Sequence, residues 1–299
     1  MSLLERLLDA GAESLRVLVQ GATGRVARRN IQMMRGHGTQ IVAGVSLSGR
    51  EREVEGAPVF TTCAEALAST GAEASLVMVP PLSVLPAVEE ALAAGIRLVV
   101  TVTEGVPVLD ALRAHAAVRE AGAVWIGAST PGLCVPGRIK LGFLPEAALG
   151  PGPLAVWSKS GTLSYETCLR LKERGVGQSA WIGVGGDPVK GTRFADLVPA
   201  FRDHAPTCGV LLIGEIGGSE EEELAETLRD DPLRKPVYAL IAGSSAPEGV
   251  TMGHAGAIIE RGRGTLASKT AALEAAGVRV FPSISGLVDA VVHDLGDPT

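Results

Sequence analysis

Short apolar runs alternate with helical patterns along most of the chain, and this alternation constrains its fold more than any other feature. Residues 15–20, 40–45, 75–79 and 97–105 predict buried strands, and helical patterns follow them. Strands that are connected through helices pair in parallel with right-handed crossovers. A second alternation of the same kind begins at residue 154. We therefore predict an α/β protein with two open parallel-sheet domains.

One stretch interrupts this alternation. Residues 133–153 are rich in Pro and Gly and show no periodic pattern, which predicts a linker. The chain then divides into a leading helix at 1–14, a first sheet domain at 15–132 and a second at 154–299. Ligands of open parallel sheets bind at the carboxyl ends of the strands, so the candidate functional residues are those that follow each strand.

Composition excludes several classes of function. The net charge of −6 leaves no broad basic surface for nucleic acid, and no apolar run reaches the roughly 20 residues that span a bilayer. Cys63, Cys134, Cys168 and Cys208 lie far apart, which argues against a zinc site or a disulfide framework and indicates a reducing compartment. The acidic leading helix resembles neither a secretion signal nor a transit peptide. We expect a cytoplasmic protein with no membrane or nucleic-acid partner and no metal site of its own.

His254 is the strongest candidate for a catalytic residue. Its neighbours Gly253 and Ala255 are small, so a phosphate or another backbone can approach the ring closely. A lone loop histidine more often only caps a turn, but two further stretches favour catalysis. Glu215 ends a strand pattern among glycines. A carboxylate at that position can equally serve only to stabilise the positive end of a helix dipole. Residues 160–162 open a helix with small and polar residues.

Together these residues predict phosphohistidine chemistry. A helix N-terminus stabilises a phosphate dianion, because its first N–H groups have no partner within the helix. A carboxylate that binds one ring nitrogen of histidine leaves the other nitrogen to attack phosphorus. Four glutamates at 220–223 open the helix after Glu215, where acidic side chains suit the dipole, and we predict no partner for them.

A glycine turn in the first domain predicts a second anion site. Residues 21–24 follow a strand and open a helix, an arrangement that directs backbone N–H groups at a phosphate. Ala27 replaces the last glycine of the usual pattern, and the motif alone has low specificity. The next strand ends in a polar loop at 46–50 where an adenine or a phosphate could rest. Arg50 and Arg52 could equally be solvated surface charges.

Six stretches, in unbroken order, resemble the α subunit of succinyl-CoA synthetase and relatives such as malate–CoA ligase. They are TVTEGVP at 101–107, SGTLSYE at 160–166, VGGDP at 184–188, IGEIGGS at 213–219, MGHAGAII at 252–259 and AALEAAGV at 271–278. Long motifs in a fixed order are far more specific than one glycine turn. The resemblance implies an N-terminal Rossmann-like CoA-binding domain and a C-terminal flavodoxin-like ligase domain.

The resemblance also implies the reaction, which is that of a nucleotide-dependent acid–thiol ligase, ADP- or GDP-forming. Such enzymes form acyl-CoA through acyl-phosphate and phosphohistidine intermediates. His254 would be the nucleophile and phosphoryl carrier, and Glu215 would orient it. The other matching positions of the second domain are the phosphate-binding Ser160, Gly161 and Thr162 and the substrate contact Tyr165.

A coenzyme A site in the first domain is a further implication of the resemblance. The matching positions are Thr23, Gly24, Arg25, Val26, Gly49, Val102, Thr103 and Glu104. Gly49 stands where relatives have a CoA-binding lysine, for which Arg50 could substitute. Residues 128–132 read ASTPG where relatives have Pro-Asn-Cys-Pro-Gly, which removes an amide near the reacting thiol. Arg25, Arg28 and Arg29 could compensate by charge.

The nucleotide site of such an enzyme is expected on another chain, because no P-loop lysine motif occurs in this one. In the family, ATP or GTP binds with Mg²⁺ mainly on an ATP-grasp β subunit. The resemblance therefore implies that this chain is half of a heteromeric enzyme that acts on a small carboxylic acid. Succinate, malate and citrate are all compatible with the sequence.

Two other classes of function are weighed against the ligase. A nicotinamide-dependent oxidoreductase using residues 21–24 would require an acidic residue after the second strand, yet that strand ends at Val45 and Ser46. It would also leave His254 and Glu215 without a role. A non-catalytic CoA-binding regulatory subunit is favoured by the changes in the first domain. The presence of both His254 and Glu215 argues against it.

Overall fold

In the computed structural model, which describes residues 3–9, 15–243, 254 and 264–296, the chain forms two α/β units. The first consists of Met1–Phe143 with Val189–Gly191, and the second of Leu144–Pro188 with Thr192–Thr299. Strands and helices alternate in both units, so the predicted α/β class is confirmed. Within the described residues, no helix is long and apolar enough to cross a membrane.

The first unit contains five helices and nine strands among its described residues. They are α1 (Leu3–Leu8), β1 (Arg16–Gln20), α2 (Arg25–Gly36), β2 (Gln40–Val45), β3 (Glu53–Val54), β4 (Ala57–Phe60), α3 (Cys63–Thr70), β5 (Ala74–Val77), α4 (Val84–Ala93), β6 (Leu98–Thr101), α5 (Val108–Glu120), β7 (Val124–Gly127), β8 (Gly132–Val135) and β9 (Ile139–Gly142). A 3-10 turn at Pro81–Ser83 precedes α4.

The strand order of the first sheet is β3-β4-β2-β1-β5-β6-β7. Strand β1 pairs in parallel with β2 on one side and with β5 on the other, so the chain changes direction across the sheet at β1. In a Rossmann-like sheet the ligand crevice lies at such a switch point, outside the carboxyl ends of the strands. Val17, Leu18 and Val19 of β1 are all fully buried, as expected for a parallel sheet covered on both faces.

The second unit contains five parallel strands and five helices among its described residues. They are β10 (Pro151–Ser158), α6 (Gly161–Glu173), β11 (Gln178–Gly183), α7 (Phe194–Arg202), β12 (Gly209–Glu215), α8 (Glu220–Asp230), β13 (Val237–Ala242), α9 (Leu266–Ala275), β14 (Arg279–Phe281) and α10 (Ile284–Leu295). The strands follow the order β14-β13-β12-β10-β11, which is the order of a flavodoxin-like sheet.

Residues 133–153, predicted as a linker, contain regular structure instead. Strands β8 and β9 form an antiparallel hairpin, a 3-10 turn follows at Glu146–Ala148, and β10 already begins at Pro151. The glycines that suggested a linker permit close backbone pairing. A Cβ on Gly142, which has φ of +109°, would lie 2.4 Å from the carbonyl oxygen of Pro131. Of the predicted leading helix at 1–14, Leu3–Leu8 is helical and Asp9 is not, and residues 10–14 lie outside the described part of the chain.

Candidate functional site

The ends of strands β10 and β12 position the main group of candidate residues. The two strands are parallel neighbours, with Ser158 beside Ile213 in the register, and Glu215 is the last residue of β12. Strand β11 lies on the far side of β10, and β13 lies on the far side of β12. The chain thus changes direction between β10 and β12, and a crevice at this point is where an open α/β sheet binds its ligand.

The structure places His254 beside Glu215. The Nδ1 atom of His254 lies 2.6 Å from Oε2 of Glu215, as in a short, charge-assisted hydrogen bond. The Glu215 side chain is 10% exposed, whereas the His254 side chain is 27% exposed. An ionised Glu215 holds a proton on Nδ1, and Nε2 is then the nitrogen with a lone pair for attack on an electrophile. This arrangement can support nucleophilic catalysis by the imidazole.

Gly186 forms the wall against which the imidazole packs. A Cβ added to this glycine would lie 2.5 Å from Cγ and 2.6 Å from Cδ2 of His254. The family resemblance includes the motif at 184–188 but assigns no role to its glycines. Because any side chain at 186 would occupy the position of the ring, the second glycine of the motif is required by His254.

We expect the Gly186→Ala variant to displace the His254 ring and to slow the predicted phosphorylation of the histidine by about 10- to 100-fold, because a misplaced reacting group loses its alignment. Transfer of labelled phosphate from ATP in the presence of the predicted partner subunit measures the rate. Gly36→Ala is the matched control, since a Cβ at Gly36 would meet nothing within 4 Å. Equal rates for the two variants would show that Gly186 does not position the ring.

The N-terminus of helix α6 is built from hydroxyl side chains. Ser160 is the N-cap, and its Oγ accepts a hydrogen bond from the N–H of Leu163 at 3.3 Å. Ser158 Oγ accepts from the N–H of Ser160 at 3.0 Å, and Ser164 Oγ donates to the Ser160 carbonyl at 2.6 Å. These bonds fix the turn that leads into the helix. Gly161 and Thr162 follow as its first two residues, where backbone N–H groups suit an anion.

A buried group of charges, missed by sequence reasoning, lies next to Glu215. Glu221 is 0% exposed, and its carboxylate binds the ammonium groups of Lys159, at 3.0 Å, and Lys269. The prediction that the glutamates at 220–223 have no partner is therefore wrong. The sequence does contain a signal for this group. Lys159 directly follows an apolar strand pattern, and Lys269 lies in a helical pattern of small residues. A lysine that is buried at such a position needs a buried counter-charge.

Burial and pairing have opposite effects on the protonation of this group. Burial raises the pKa of Glu221, but the charges of Lys159 and Lys269 outweigh it, so the pKa lies below the usual value. Burial likewise opposes the charged form of Lys159, but Glu221, Glu220 and Glu215 raise the pKa of its ammonium. Glu221 and Lys159 are therefore ionised at neutral pH.

Tyr165, the predicted substrate contact, lies on the second turn of helix α6. Its ring packs edge-on against Trp181 of β11, with the ring centroids 5.9 Å apart. Burial raises the pKa of the Tyr165 phenol, so it is neutral and can act as a hydrogen-bond donor.

A second group of candidate residues lines a cavity of 430 Å³ in the first unit. Its wall consists of Gly24, Arg25, Val26, Ala27, Met78, Val79, Val102, Thr103 and Phe143. Five of the eight positions that match the CoA site therefore lie in this wall. The cavity is at the carboxyl ends of β1, β5 and β6, beside the switch point of the first sheet. Sequence reasoning missed Phe143, which lies in the predicted linker.

The cavity fits a ligand that carries phosphate and an apolar part. No side chain in the part of the chain that the structure describes caps helix α2 at Gly24, so its first N–H groups can bind an anion. Arg25 in the same wall adds positive charge, and Val26, Val102 and Phe143 add apolar surface. Thr103 Oγ1 donates to the carbonyl of Val79 at 2.7 Å. Its hydroxyl thus stabilises the wall.

The other predicted CoA contacts do not line this cavity. Thr23 Oγ1 lies 3.2 Å from Ser46 Oγ, at the loop after β2. Gly49, Arg50 and Glu104 are exposed. Arg28, considered as a compensating charge, is paired with Glu51, which raises the pKa of its guanidinium. No cluster of His, Cys, Asp and Glu among the described residues could hold a metal ion.

Comparison with known proteins covers both units. The model of the CoA binding domain family matches residues 12–105, and that of the CoA-ligase family matches 157–279. The chain is 44% identical over 279 residues to succinate–CoA ligase (ADP-forming) subunit alpha 1 of Archaeoglobus fulgidus, covering 93% of this chain and 95% of the relative. It is 43% identical over 282 residues to the corresponding alpha subunit of Aquifex aeolicus, covering 94% and 92%.

Two solved structures share the fold. An ATP citrate lyase of Methanosaeta concilii in complex with (3S)-citryl-CoA superposes with a TM-score of 0.84 at 22% identity, covering 96% of this chain and 52% of that one. The dinucleotide-forming acetyl-coenzyme A synthetase 1 of Ca. Korarchaeum cryptofilum gives a TM-score of 0.75 at 19% identity, covering 96% and 61%. The chain thus spans roughly half to three-fifths of these longer chains.

Proposed function

Because this chain belongs to the succinate–CoA ligase α-subunit family, we propose that it is the α subunit of a nucleotide-dependent acid–CoA ligase and carries a phosphoryl group on His254. The observation that supports this most strongly is the 2.6 Å contact between His254 Nδ1 and Glu215 Oε2. It gives the imidazole the orientation and the ionic partner that a phosphoryl carrier needs. The overall reaction converts acid, CoA and nucleoside triphosphate into acyl-CoA, nucleoside diphosphate and phosphate.

His254 would act in two steps. In the first, its Nε2 attacks the terminal phosphorus of the nucleotide, and the bond from that phosphorus to the bridging oxygen breaks. The ring becomes cationic as the bond forms, and the carboxylate of Glu215 stabilises that charge through Nδ1. In the second, a carboxylate of the acid substrate takes the phosphoryl group from Nε2 and becomes an acyl phosphate. The CoA thiolate then displaces phosphate from the acyl carbon.

Helix α6 would hold the phosphoryl group between these steps. The N–H groups of Gly161 and Thr162 belong to its first turn, and the positive end of the helix dipole stabilises a dianion there. Ser160 supports this role indirectly, because its side chain caps the helix. Tyr165 would contact the acid substrate from the same helix.

Coenzyme A would bind at the cavity of the first unit, with its phosphates near the N-terminus of α2 and its thiol supplying the acyl acceptor. We expect five residues that line the cavity to hold it, namely Gly24, Arg25, Val26, Val102 and Thr103. Thr23, Gly49, Arg50 and Glu104 would extend the site along neighbouring loops. The segment 128–132 joins this wall, because the N–H of Ser129 donates to the carbonyl of Thr103 at 2.8 Å.

The remaining parts of the reaction belong to a partner. We assign ATP or GTP with Mg²⁺ to an ATP-grasp β subunit, and a small carboxylic acid to the heteromeric assembly. The relatives are named as alpha subunits, which supports a second subunit. The cytoplasm is part of this proposal, supported by free thiols at all four cysteines.

The function is tested with the chain reconstituted with its co-expressed partner, Mg²⁺ and ATP or GTP. We expect CoA-dependent release of phosphate with one acid from a panel that includes succinate, malate and citrate, and an equal amount of acyl-CoA. Binding of CoA without acyl-CoA formation from any acid would instead support a regulatory subunit. Oxidation of an acid with reduction of a nicotinamide cofactor would contradict the ligase.

Arg25 should contribute measurably to CoA affinity. We expect Arg25→Ala to weaken binding of CoA to the full chain by about tenfold, because a charge-assisted contact to phosphate is lost. Isothermal titration calorimetry measures the dissociation constant. Arg29→Ala makes the same change of charge on α2 at an exposed position outside the cavity wall. Equal weakening by both variants would mean that Arg25 acts only through the net charge of the helix.

A further inference from the structure

The carboxylate of Glu221 joins two buried lysines to the backbone of Glu215. Its oxygens lie 3.0 and 3.2 Å from the Nζ atom of Lys159, and Lys269 donates to the same carboxylate. Oε1 also accepts a hydrogen bond from the N–H of Glu215 at 3.1 Å. The side chains of Glu221 and Lys269 are fully buried, and that of Lys159 is 4% exposed. Water therefore does not screen the charges of this cluster, which consists of Glu221, Lys159 and Lys269.

The cluster holds the backbone on both sides of the Glu215 side chain. On the C-terminal side, Lys269 Nζ donates to the carbonyl of Gly217 at 2.7 Å. On the N-terminal side, Gly214 leaves room for the carboxylate, since a Cβ there would lie 2.5 Å from Glu221 Oε1. One buried carboxylate and one ammonium group thus join the sheet in holding the backbone from which Glu215 reaches His254.

The same cluster reaches the helix end that would hold the phosphoryl group. Lys159 directly precedes Ser160, the N-cap of α6, and its N–H donates to the carbonyl of Ile213 at 3.0 Å. Glu221 is therefore in contact with the segment that leads into α6 and with the residue that binds the imidazole.

The negative charge of Glu221 also affects Glu215, because it neutralises the lysines nearby. Around the two lysines, Glu220 lies 3.9 Å from Lys159 and Glu222 lies 3.8 Å from Lys269, both further away than Glu221. Glu215 also interacts electrostatically with Lys159. Without the charge of Glu221, the ammonium of Lys159 would attract the carboxylate of Glu215 away from His254. Glu221 satisfies the lysines and leaves Glu215 available for the imidazole.

We propose that Glu221 is a positioning residue for the phosphohistidine step, which acts through Glu215 to fix the His254 ring with its proton on Nδ1. This proposal rests on the proposed function of His254 as a phosphoryl carrier. Glu221 itself touches neither the imidazole nor a substrate in this role. It sets the place and the charge of the carboxylate that does.

The Glu221→Gln variant separates charge from shape, because it keeps an acceptor for the Glu215 N–H and removes the negative charge. ¹⁵N NMR of the full chain with labelled histidine reports the tautomer of His254. We expect the Nδ1–H form to dominate in the wild type and a mixture of tautomers in the variant. With the partner subunit, kcat for phosphorylation should fall by about 10- to 100-fold while KM for the nucleotide is unchanged.

Glu222→Gln is the matched control. Glu222 lies on the same turn of α8 and near the same lysine, at 3.8 Å from Lys269 Nζ, and its hydrogen bond is with Ser268 instead of the Glu215 backbone. We expect this variant to keep the wild-type tautomer and kcat. A role of Glu221 in general packing would lower the stability of the chain without a change in the tautomer.

Glu221→Asp provides a second test should the first variant fail to fold. It retains the charge and shortens the side chain, so the bond to the Glu215 N–H is lost. The same change of tautomer is expected. A wild-type tautomer and kcat in either folded variant would overturn the proposal. A wild-type enzyme with no phosphate on His254 would instead overturn the proposed function, and the tautomer would still decide whether Glu221 positions the ring.

Discussion

The His254→Asn variant is expected to form no phosphoenzyme and to lose acyl-CoA formation by at least about 10⁴-fold in kcat, because the group that bonds to phosphorus is gone. Asparagine is close in size to imidazole and polar, so the surroundings of Glu215 remain filled. The measurement is acyl-CoA formation by the reconstituted enzyme, together with labelled phosphate retained on the protein.

Two controls make the loss specific. His293→Asn removes a histidine on the exposed face of α10 and should leave both readouts at the wild-type level. The His254→Asn variant should bind CoA with unchanged affinity, because the cavity wall consists of residues of the first unit. Acyl-CoA formation at a wild-type rate by the His254→Asn enzyme would show that the reaction proceeds without a phosphohistidine.

The Glu215→Gln variant is expected to lower kcat by about 10²- to 10⁴-fold, as seen when the carboxylate behind a reacting histidine is neutralised. The amide oxygen can still accept the Nδ1 proton, but it cannot stabilise the cationic ring that forms as Nε2 attacks. The loss should appear in kcat and not in the KM for CoA. Pre-steady-state phosphorylation of His254 measures the step directly.

Combining this variant with Glu221→Gln gives a further control. If Glu221 acts through Glu215, the double variant should be hardly slower than Glu215→Gln alone, since coupled residues are not additive. Unchanged kcat in Glu215→Gln would mean that the 2.6 Å contact has no part in the reaction.

Much of the fold follows from the sequence. The alternation of apolar runs and helical patterns predicted two parallel sheets, and the strand orders of both units agree with it. The hairpin of β8 and β9 was missed because Gly142, interpreted as a break in regular structure, allows two backbones to approach closely. The strands β3 and β4 were missed as well, because they have only two and four residues. Pro58 in β4 also argues against a strand in the sequence.

The candidate site was predictable where reactive side chains lie at the ends of strands or directly after them. Glu215 ends β12, and the sequence predicted that His254 would lie near it, as the structure shows. The family was predicted from long motifs, and the comparisons confirm it. The buried cluster of Glu221, Lys159 and Lys269 could not be found in this way. Its members come from the residue after β10, from α8 and from α9, and they meet only through tertiary packing. Most of residues 244–263, around His254, lie outside the described part of the chain.

The proposed phosphohistidine is tested by locating the phosphoryl group after incubation of the chain with its partner, Mg²⁺ and ATP. Phosphorus NMR and mass spectrometry of the purified enzyme identify the modified residue and the nitrogen that carries it. We expect an acid-labile, base-stable phosphoryl group on Nε2 of His254, since Glu215 holds Nδ1. A phosphoryl group on Nδ1, or none on His254 in an enzyme that forms acyl-CoA, would contradict this expectation.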